Sequence, residues 1–575
     1  MFDSSANNVL SIRETFAGKH VLLTGASGFV GKVWLTMMLE HVPEVGSIRV
    51  LLRRKALLSA RERFEKMVNG SPAFGPLHER FGAGFSSYLM SKVQLLDGDI
   101  SEEGLGLSAA DNATLRREVD LIVHCAGLVD FDPDVRKALS ANVDGTMNVA
   151  DLAASSDHAA LLHISTCYVA GRRYGRIAEE VQPDFAPVAN NFDAAREIEQ
   201  ARAAIDRICA EHEKAEHIAK LRLDAEANVS AKGAVDRSRA VQGELRRLQR
   251  ESLRQALSDE GTARAARLGW PNTYTYTKSL AESLLLKRAH ELRLAILRPS
   301  IVESSVQYPF PGWNESFNGS APLAYVMGTW FRAIPARPGS PFDVIPVDHV
   351  AQAMTNVGAL LLQDRAQLAY HVGSSDRNVC SVGRAAELIV LAHRQYYRSS
   401  ARTRTERLWK SRSDSVLVEP DDPYCVQNAR SITQGFLEAI DLLPSKLVRK
   451  LQRLRNTTLD VDDRLASIEK LVGLYLPFMY DGHYVFEANA LRGVLTLEPE
   501  WRFEPERIDW RRYWLETHMP GLRRWAFPLI EGKRPERYKP LHPVKLSVPP
   551  PALVGHEPAV SSLLSATPSA SRLSS

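Results

Sequence analysis

A glycine-rich turn set between a short strand and a helix constrains this chain more than any other feature of its sequence. Residues 20–24 form an apolar run that predicts a strand, and the apolar periodicity through Leu39 predicts a helix. Between them, Gly25 permits a tight turn, Gly28 lets the backbone approach a pyrophosphate, and Gly31 permits close helix packing. Because a helix N-terminus attracts phosphate, the segment predicts a dinucleotide site that opens a doubly wound α/β fold.

The second predicted strand, Ile48 to Leu52, ends in three consecutive cations, Arg53, Arg54 and Lys55. An NAD-specific fold of this kind usually carries Asp or Glu at that point, where it binds the ribose 2′-hydroxyl, whereas guanidinium groups suit a 2′-phosphate. The sequence therefore predicts NADPH rather than NADH, with Arg53 or Arg54 as the phosphate contact. The alternative is that these residues are solvated charges at a strand end.

Two further strands end in residues that we expect to face the cofactor. Val93 to Leu96 leads to Gly98-Asp99-Ile100, and Leu121 to His124 leads to Cys125-Ala126-Gly127. In a doubly wound sheet the ligand lies beyond the carboxyl ends of the strands, so Asp99 is placed to meet the adenine, and Ala126 and Gly127 let the cofactor pass closely. For Asp99 an ordinary turn role is the alternative.

A fifth strand, Leu161 to Ile164, ends in the hydroxyl residues Ser165 and Thr166. A hydroxyl at this point can hydrogen-bond a substrate carbonyl oxygen and stabilise the negative charge that develops on it. We expect Thr166 to do so. Ser165 is the competing candidate, since one of the two hydroxyls can instead satisfy backbone groups.

A helix predicted from Pro271 to about Glu291 carries Tyr274 and Lys278, four residues apart and therefore on one face. A phenol has a reference pKa of about 10, and a nearby ammonium favours the phenolate, so the pair can work as a proton donor. An isolated pair of this kind also fits an amphipathic helix with a half-buried Tyr and a solvated Lys. The nucleotide-binding start of the chain favours the catalytic interpretation.

Between Thr166 and Tyr274 the composition changes. Residues 187–267 are rich in Ala, Arg, Glu, Lys and Gln, with apolar residues roughly at helical spacing and without a strand pattern. They predict an inserted charged helical arm, which costs little loop-closure entropy. We interpret the arm as a solvated helical hairpin without a catalytic part, and a lid or a partner surface is the alternative.

A sixth strand, Leu294 to Leu297, precedes a stretch from Pro309 to Pro346 that is rich in Pro, Gly and aromatic residues. This stretch predicts irregular loops around an apolar pocket. Its aromatic residues include Trp313, Phe317, Trp330 and Phe342. Within it, Asp343 to Val350 predicts a short strand that runs into a helix.

Residues 384–541 predict mostly helices without catalytic spacing, and we interpret the single histidines His393, His483 and His518 as structural. Basic and aromatic residues mix between Trp510 and Lys539. This mixture predicts either peripheral contact with a membrane surface or a solvated face that covers a helix. The Pro- and Ser-rich end of the chain, residues 547–575, predicts disorder.

Composition narrows the classes of function. A chain of 575 residues with 45% hydrophobic content can bury a large core and form two or more domains, and a net charge of +4 gives no case for a nucleic-acid partner. Five dispersed cysteines argue against a disulfide framework and a metal cluster, and fit a reducing cytoplasm. Because no signal peptide is apparent and the apolar run Leu471 to Tyr480 is too short to span a bilayer, we expect a soluble cytoplasmic protein.

With these motifs placed, the sequence resembles the extended short-chain dehydrogenase/reductase superfamily and, within it, the fatty acyl-CoA reductases. The motifs that carry the resemblance are Thr24 to Gly31 (TGASGFVG), Arg53 to Lys55, His124 to Asp132 (HCAGLVDFD), Asn142 to Thr146 (NVDGT), Ser165 to Tyr168 (STCY) and Pro271 to Glu282 (PNTYTYTKSLAE). Pro309 to Trp313 and Ile345 to Asp348 look like the reductase group. The resemblance spans roughly residues 18–375, and the region to about residue 540 is similar to the family's C-terminal domain.

The resemblance implies a Rossmann reductase domain over residues 1–375 that includes the arm, a helical C-terminal domain over 376–545 and a disordered tail over 546–575. It implies the catalytic residues Thr166, Tyr274 and Lys278. The residues implied to bind the cofactor are Thr24, Gly25, Ser27, Gly28, Phe29, Val30, Gly31, Arg53, Arg54, Asp99, Ile100, Ala126, Gly127, Tyr274 and Lys278.

The activity implied is reduction of a long-chain fatty acyl-CoA by NADPH. Tyr274 and Thr166 would hold the oxyanion while hydride attacks the thioester, and Lys278 would bind the nicotinamide ribose and lower the Tyr274 pKa. The resulting thiohemiacetal expels coenzyme A to give an aldehyde, and a second hydride gives a primary fatty alcohol of the kind used in wax esters. Cys125 and Cys167 are interpreted as small apolar residues rather than acyl carriers. The basic cluster from Arg402 to Arg412 fits either coenzyme A phosphates or a solvated face.

Two departures from the family are the long charged arm and the missing C-terminal membrane anchor, which argues against stable membrane residence. Three alternatives stay open. The enzyme could stop at the aldehyde after one hydride transfer. An NAD-dependent epimerase or dehydratase would retain its NAD instead of consuming NADPH. A non-catalytic cofactor-binding scaffold would have no need of the proton donor that Tyr274 and Lys278 provide.

Overall fold

The computed structural model describes residues 9–55, 58–232, 237–315, 319–400, 403–410, 414 and 416–546. The tail predicted to be disordered lies outside the described residues, except for Leu546, and so do Phe317, Arg402 and Arg412.

The centre of the described chain is a seven-stranded sheet in which every neighbouring pair of strands is parallel. Its strands are β1 (His20–Thr24), β2 (Ser47–Leu52), β3 (Val93–Asp97), β4 (Leu121–His124), β5 (Ala160–Ile164), β6 (Arg293–Pro299) and β7 (Ala369–Val372). Their order across the sheet is β7-β6-β5-β4-β1-β2-β3. Because the direction of winding reverses between β1 and β4, a ligand crevice opens there at the carboxyl ends of the strands. The predicted doubly wound Rossmann sheet is confirmed.

All six predicted strands are present within two residues of their expected ends, and β7 is an addition. Successive side chains of a strand lie in different apolar clusters, on the two faces of the sheet. Leu23 and Val123 belong to one cluster, and Leu22 and Ile122 belong to another. This burial of both faces is typical of parallel sheets and explains the continuous apolar runs.

Helices cover both faces of the sheet and build the regions around it. Those of ten residues or more in the described part are α1 (Phe29–His41), α2 (Ala60–Gly70), α3 (Ala109–Glu118), α4 (Gly145–Ala154), α5 (Ala194–His212), α6 (Ala215–Lys232), α7 (Arg237–Leu268), α8 (Thr273–Lys287), α9 (Val347–Leu362), α10 (Val382–Ser400), α11 (Val426–Asp441) and α12 (Gln452–Met479). Shorter helices are Ile12–Phe16, Gly75–Phe81, Phe85–Lys92, Val135–Ala138, Ala321–Met327, Arg404–Lys410, Ser445–Lys450, Trp510–Arg512, Met519–Trp525 and Phe527–Ile530, and π-helical turns span Leu139–Asp144 and Tyr513–His518. Helices α1 and α9 pack on one face of the sheet, and α3, α4 and α8 on the other.

The inserted arm is helical, as predicted, and consists of α5, α6 and α7. Its outer part is a hairpin in which α6 packs on the start of α7 through Ala225, Val229 and Val241. Its base is not merely solvated, because Ile198 and Leu268 share an apolar cluster with Leu280 of α8. The arm therefore supports the back of the helix that carries Tyr274 and Lys278.

The C-terminal region is mostly helical, as predicted, but short strands connect it to the reductase part. His483–Phe486 pairs with Tyr174–Ile177, Leu495–Thr496 with Val9–Leu10, and Val416–Val418 with Ala333–Pro335. Sequence analysis missed these strands because two to four residues carry no periodic signal. The predicted strand before α9 is present as Val344–Pro346, paired with Ile301–Glu303. The domain boundary near residue 375 stays a prediction.

One interpretation of the C-terminal region is wrong. Of the two alternatives for the segment between Trp510 and Lys539, membrane contact through its aromatic rings does not hold, because Trp510, Tyr513, Trp514 and Trp525 are all buried. Only their basic neighbours, such as Arg511 and Arg512, are exposed. Trp510, Tyr513 and Trp514 pack with α10 and α12 in one apolar cluster, and Trp525 belongs to the main core.

Candidate active site

The glycine-rich turn has the geometry of a phosphate cradle. Gly25 has a φ of +79°, and a Cβ on it would lie 2.6 Å from the Ala126 amide nitrogen. A Cβ on Gly31 would collide with the carbonyl oxygen of Gly25. Helix α1 begins after Gly28, which makes no side-chain cap bond, so the first amides of the helix have no side-chain partner at the cap. These features fit a bound pyrophosphate.

A cavity of about 550 Å³, the cofactor cavity, opens at the carboxyl ends of β1 to β4. Nine residues predicted to bind the cofactor line it: Thr24, Gly25, Ser27, Gly28, Arg53, Asp99, Ile100, Ala126 and Gly127. Sequence analysis missed further polar members of its wall: Arg63, Ser101, Arg136, Lys137 and Ser140. The residues present fit a dinucleotide, because the glycine cradle and several cations surround one elongated space.

The cations at the end of β2 divide into two kinds. Arg53 lines the cofactor cavity, with its Nη1 3.5 Å from Asp99 Oδ2. Arg54 does not line it, because its Nε donates a 2.6 Å hydrogen bond to Asp97 instead. Arg63 of α2 lines the cavity and donates to the Arg53 carbonyl oxygen. Next to Arg53, the cavity wall therefore contains Arg63 and not Arg54.

Asp99 makes the contacts of a turn and also lines the cofactor cavity, and its contact with the adenine stays a prediction. Its Oδ1 accepts hydrogen bonds from the backbone and side chain of Ser101, at 3.0 and 2.8 Å, as in an ordinary turn. The same residue lines the cofactor cavity opposite Arg53. The turn thus fixes a carboxylate at the cavity wall.

A second cavity of about 280 Å³, the reaction cavity, adjoins the first, since Gly28, Cys125 and Gly127 line both. The predicted residues on its wall are Phe29, Val30, Gly31, Ser165, Thr166, Tyr274 and Lys278. The structure therefore brings together the end of β5, the start of α1 and the face of α8.

 In the sequence, 107 residues, including the whole arm, lie between Thr166 and Tyr274, and yet both residues line the same cavity.

Helix α8 presents Tyr274 and Lys278 to the reaction cavity, as their spacing predicts. The Asn272 side chain caps the helix by accepting a 2.9 Å hydrogen bond from the Thr275 amide. The opposite face is anchored in the arm, because the Tyr276 hydroxyl donates a 2.9 Å hydrogen bond to buried Glu197. The helix ends at Lys287, and a 3₁₀ turn continues to Glu291.

The pKa of Tyr274 is raised above its usual value, chiefly because the phenol loses hydration in the cavity wall and secondly because of Cys125. The nearby Thr166 hydroxyl acts in the opposite direction. The lowering expected from Lys278 is not among these influences. The Lys278 ammonium is instead bound to the backbone carbonyl of Ile164, at 2.7 Å.

Lys278 is almost completely buried, and burial lowers its pKa to about 8. Cys125 and Glu282 partly offset this effect by favouring the charged form. The side chain therefore holds an ammonium that can lose its proton just above neutral pH.

The two hydroxyl residues after β5 are both buried at the cavity, with different partners. The Thr166 hydroxyl donates to the Pro299 carbonyl and accepts from the Tyr168 amide, both at 3.3 Å, and it lies close enough to Tyr274 to oppose the rise of the phenol pKa. The Ser165 hydroxyl has no hydrogen-bond partner in the described part of the chain. Thr166 is thus the hydroxyl linked to the predicted proton donor, and the role of each in catalysis stays a prediction.

The far side of the reaction cavity is aromatic. Phe131, Tyr168, Tyr475 and Phe478 line it and form what we call the aromatic wall. Ring centroids are 5.7 Å apart for Phe131 with Tyr475 and with Phe478, and 4.8 Å apart for Tyr168 with Phe478. Sequence analysis missed Tyr475 and Phe478, which come from the end of α12, beside Pro477.

The loop aromatics predicted to surround the apolar pocket mostly lie elsewhere. Phe342 lines the reaction cavity. Trp313 is buried in the main core, where it stacks on Phe29 at 5.0 Å, and Trp330 is exposed. The prediction of an apolar pocket is therefore supported by Phe342 and the aromatic wall rather than by the tryptophans.

Buried Asn142 was not predicted to belong to the site, although it lies in one of the recognised motifs. Its Oδ1 accepts a 2.7 Å hydrogen bond from the Leu128 amide, and its Nδ2 donates to the Leu128 carbonyl and to Thr277, both at 3.0 Å. It sits in a π-helical turn, a feature often found at functional sites. Asn142 therefore fixes the loop after β4 against the helix of Lys278.

A buried ion pair anchors the same helix to the sheet. Arg298 of β6 donates to both carboxylate oxygens of Glu282, with Nε at 3.1 Å from each. Arg298 also donates to the Glu180 carbonyl at 2.8 Å. Removal of either partner would leave an uncompensated buried charge.

The two motif cysteines have the features expected of apolar packing residues. Burial raises the pKa of Cys125 to about 11, and burial also raises that of Cys167. Cys167 Sγ donates to the Arg298 carbonyl at 2.8 Å. A raised thiol pKa disfavours the thiolate that an acyl carrier needs.

The single histidines are satisfied within the fold, apart from His483, which lies in a short strand. His393 bonds the Ala324 carbonyl at 2.8 Å, and His518 bonds Ser304 and Ser320 at 2.8 and 2.9 Å. In the described ranges no group of His, Cys, Asp and Glu side chains is arranged to hold a metal ion. No helix among the described residues is long and apolar enough to cross a membrane.

Comparison with known proteins adds independent findings. A family model described as male sterility protein matches residues 23–354. The alcohol-forming fatty acyl-CoA reductase of Simmondsia chinensis is 27% identical over 89% of this chain and 98% of its own length. Fatty acyl-CoA reductase 1 of Arabidopsis thaliana is 29% identical over 88% of this chain and 96% of its own. A reductase domain of a nonribosomal peptide synthetase from Mycobacterium tuberculosis is 18% identical, with a TM-score of 0.43 over 75% of this chain and 78% of that one.

Proposed function

Because the chain belongs to the male sterility protein family, we propose that it is an NADPH-dependent fatty acyl-CoA reductase that converts a long-chain acyl-CoA to a primary alcohol. The observation that carries this proposal is the meeting of Thr166, Tyr274 and Lys278 at one cavity that has an aromatic far wall. Relatives named as fatty acyl-CoA reductases, which match along most of the chain, support it.

The residues that would hold the cofactor are the Gly25 to Gly31 turn for the pyrophosphate, Arg53 and Arg63 for a 2′-phosphate, and Lys278 for the ribose next to the nicotinamide. Bound NADPH supplies the hydride. The two arginines support NADPH over NADH, since both line the cofactor cavity.

Tyr274 is the proton donor of this scheme. Its raised pKa keeps the phenol protonated at neutral pH, so the proton is available when negative charge develops on the carbonyl oxygen. Thr166 lines the same cavity close to the phenol and would bind the same oxygen. The Lys278 ammonium, held at the end of β5, would bind the nicotinamide ribose.

The aromatic wall is the proposed binding surface for the acyl chain. Phe131, Tyr475 and Phe478 present ring surfaces to the cavity. They would exclude water, which strengthens the electrostatic interactions of Tyr274 and Lys278 with the thioester. The same residues would hold the aldehyde near the donor until a second reduction gives the alcohol.

We also propose a cytoplasmic location. The free state of all five cysteines supports a reducing compartment, since none is paired as a disulfide in the described chain. Cell fractionation with an antibody to the protein tests this proposal.

The activity is tested by following NADPH oxidation by the purified protein with palmitoyl-CoA. Tyr274→Phe should lower kcat by about 100-fold or more, because the general acid is lost. Tyr276→Phe is the matched control on the same helix, since its hydroxyl faces Glu197 and not the cavity. No NADPH oxidation by the wild-type protein across acyl chain lengths, or equal rates for Tyr274→Phe, would contradict the proposal.

A further inference from the structure

Helices α11 and α12 form an antiparallel hairpin that projects one end away from the reaction cavity. Its register is fixed by Arg430 with Glu469 at 2.6 Å, and near the other end by Asp441 with Arg455 at 2.7 Å. The segment that joins the helices, residues 442–451, therefore lies at the tip of the hairpin. The other end of α12 carries Tyr475 and Phe478 of the aromatic wall.

The tip exposes a group of leucines that a soluble surface rarely shows. We call Leu442, Leu443, Leu447 and Leu454 the leucine tip; all four are exposed, and Leu442 is 87% exposed. Ile432 and Phe436 of α11 are also exposed, at positions that continue one helical face toward Leu443. A contiguous exposed apolar patch of this kind marks an interaction surface.

Cations surround these leucines. Arg449, Lys450 and Arg453 are exposed, and none of them has an ion-pair partner among the residues that the structure describes. Asp441, the carboxylate at the end of α11, is paired with Arg455. The tip thus combines unpaired positive charge with apolar side chains.

We propose that the leucine tip docks this protein on an anionic lipid bilayer. The leucines enter the boundary between headgroups and acyl chains, and Arg449, Lys450 and Arg453 meet the lipid phosphates. A convex tip that carries both kinds of side chain suits a planar anionic surface. This docking surface replaces the aromatic segment after Trp510, whose rings are buried.

Docking at the tip would set the height of the active site above the membrane. Between Leu454 and Tyr475, α12 extends about 30 Å at the rise of an α-helix. The reaction cavity would therefore lie about the length of α12 from the lipid surface. The docking inference does not depend on the activity proposed above.

Vesicle flotation tests the inference without acyl-CoA or NADPH, so its outcome is separate from that of the activity assay. The full chain is mixed with phosphatidylcholine vesicles that contain or lack phosphatidylglycerol. The wild-type protein should float with the anionic vesicles and dissociate at high salt, because charge screening weakens the contacts. Leu442→Glu/Leu447→Glu should lower the bound fraction about tenfold.

Leu223→Glu/Leu541→Glu is the matched control, because these leucines are 68% and 95% exposed elsewhere on the surface. It should bind like the wild-type protein, and circular dichroism should show that every variant is folded. Equal binding of the tip variant and the control, or no binding of the wild-type protein, would overturn the inference. A tip variant that changes only the oligomeric state, measured by light scattering, would assign the tip to a second copy of the chain and would also overturn it.

Discussion

The Nζ atom of Lys278 lies 2.7 Å from the carbonyl oxygen of Ile164, the last residue of β5. This buried hydrogen bond joins the helix of the predicted proton donor to the strand end that carries Ser165 and Thr166. It also explains how the fold keeps an ammonium in a site where burial lowers its pKa to about 8.

The first prediction is a loss of activity at alkaline pH. The pKa of Lys278 is lowered to about 8. Its side chain is therefore protonated at lower pH and loses its proton as the pH rises through this value. If the charged form is required, kcat/KM should fall about tenfold per pH unit above this value, because kcat/KM reports groups of the free enzyme. Lys278→Arg keeps its charge throughout, so any activity it retains should lack this limb. A kcat/KM that stays constant or rises above pH 8 would contradict the role of the ammonium.

The second prediction separates the two hydroxyls after β5. Thr166→Val should lower kcat by about 100-fold, since one stabilising donor at the oxyanion is lost. Ser165→Ala should have a smaller effect, because Thr166 and not Ser165 acts on the Tyr274 phenol. Steady-state kinetics with one acyl-CoA distinguish the variants. The reverse order of effects would assign the substrate carbonyl to Ser165.

The third prediction concerns cofactor choice. Arg53→Ala and Arg63→Ala should each lower the ratio of kcat/KM for NADPH to that for NADH by about tenfold, since each removes a charged contact. Arg54→Ala is the matched control, because Arg54 pairs with Asp97 outside the cofactor cavity. An unchanged ratio in both test variants, or a large change in the control, would show that the 2′-phosphate binds elsewhere.

The fourth prediction concerns acyl chain length. Phe478→Ala removes a ring from the aromatic wall, which enlarges the reaction cavity and should shift the preference toward longer chains. Phe486→Ala is the control, because it also packs on Tyr168, at 5.3 Å, but does not line the cavity. Both variants should lose about 3 to 5 kcal/mol of unfolding free energy, measured in urea. A chain-length profile that is unchanged in Phe478→Ala would exclude the wall as the acyl site.

Sequence patterns predicted the parts of the fold that depend on local signals. Six strands, the glycine-rich turn and the helix of Tyr274 and Lys278 all have strong periodicity or a required backbone conformation, such as the positive φ of Gly25. The arm was recognised by composition. The short strands of the C-terminal region and β7 depend on their partners and not on their own sequence, so they could not be predicted.

The site was predicted where its residues follow strand ends or share one helix face. Arg63, Asn142, Tyr475 and Phe478 were missed because their roles depend on tertiary packing. Tyr475 and Phe478 are three residues apart at the end of a helix. Nothing in the local sequence shows whether such a pair lines a cavity or packs in the core. For the same reason, the aromatic residues after Trp510 suggested a membrane face although they belong to the core.

The most direct test of the account is the stoichiometry and product of the reaction with palmitoyl-CoA. NADPH consumption is followed by absorbance, and the lipid product is identified by gas chromatography. The account predicts two NADPH consumed per acyl chain and hexadecanol as the product. One NADPH with accumulating aldehyde would contradict the alcohol-forming reaction, and no consumption at any chain length would contradict acyl-CoA reduction itself.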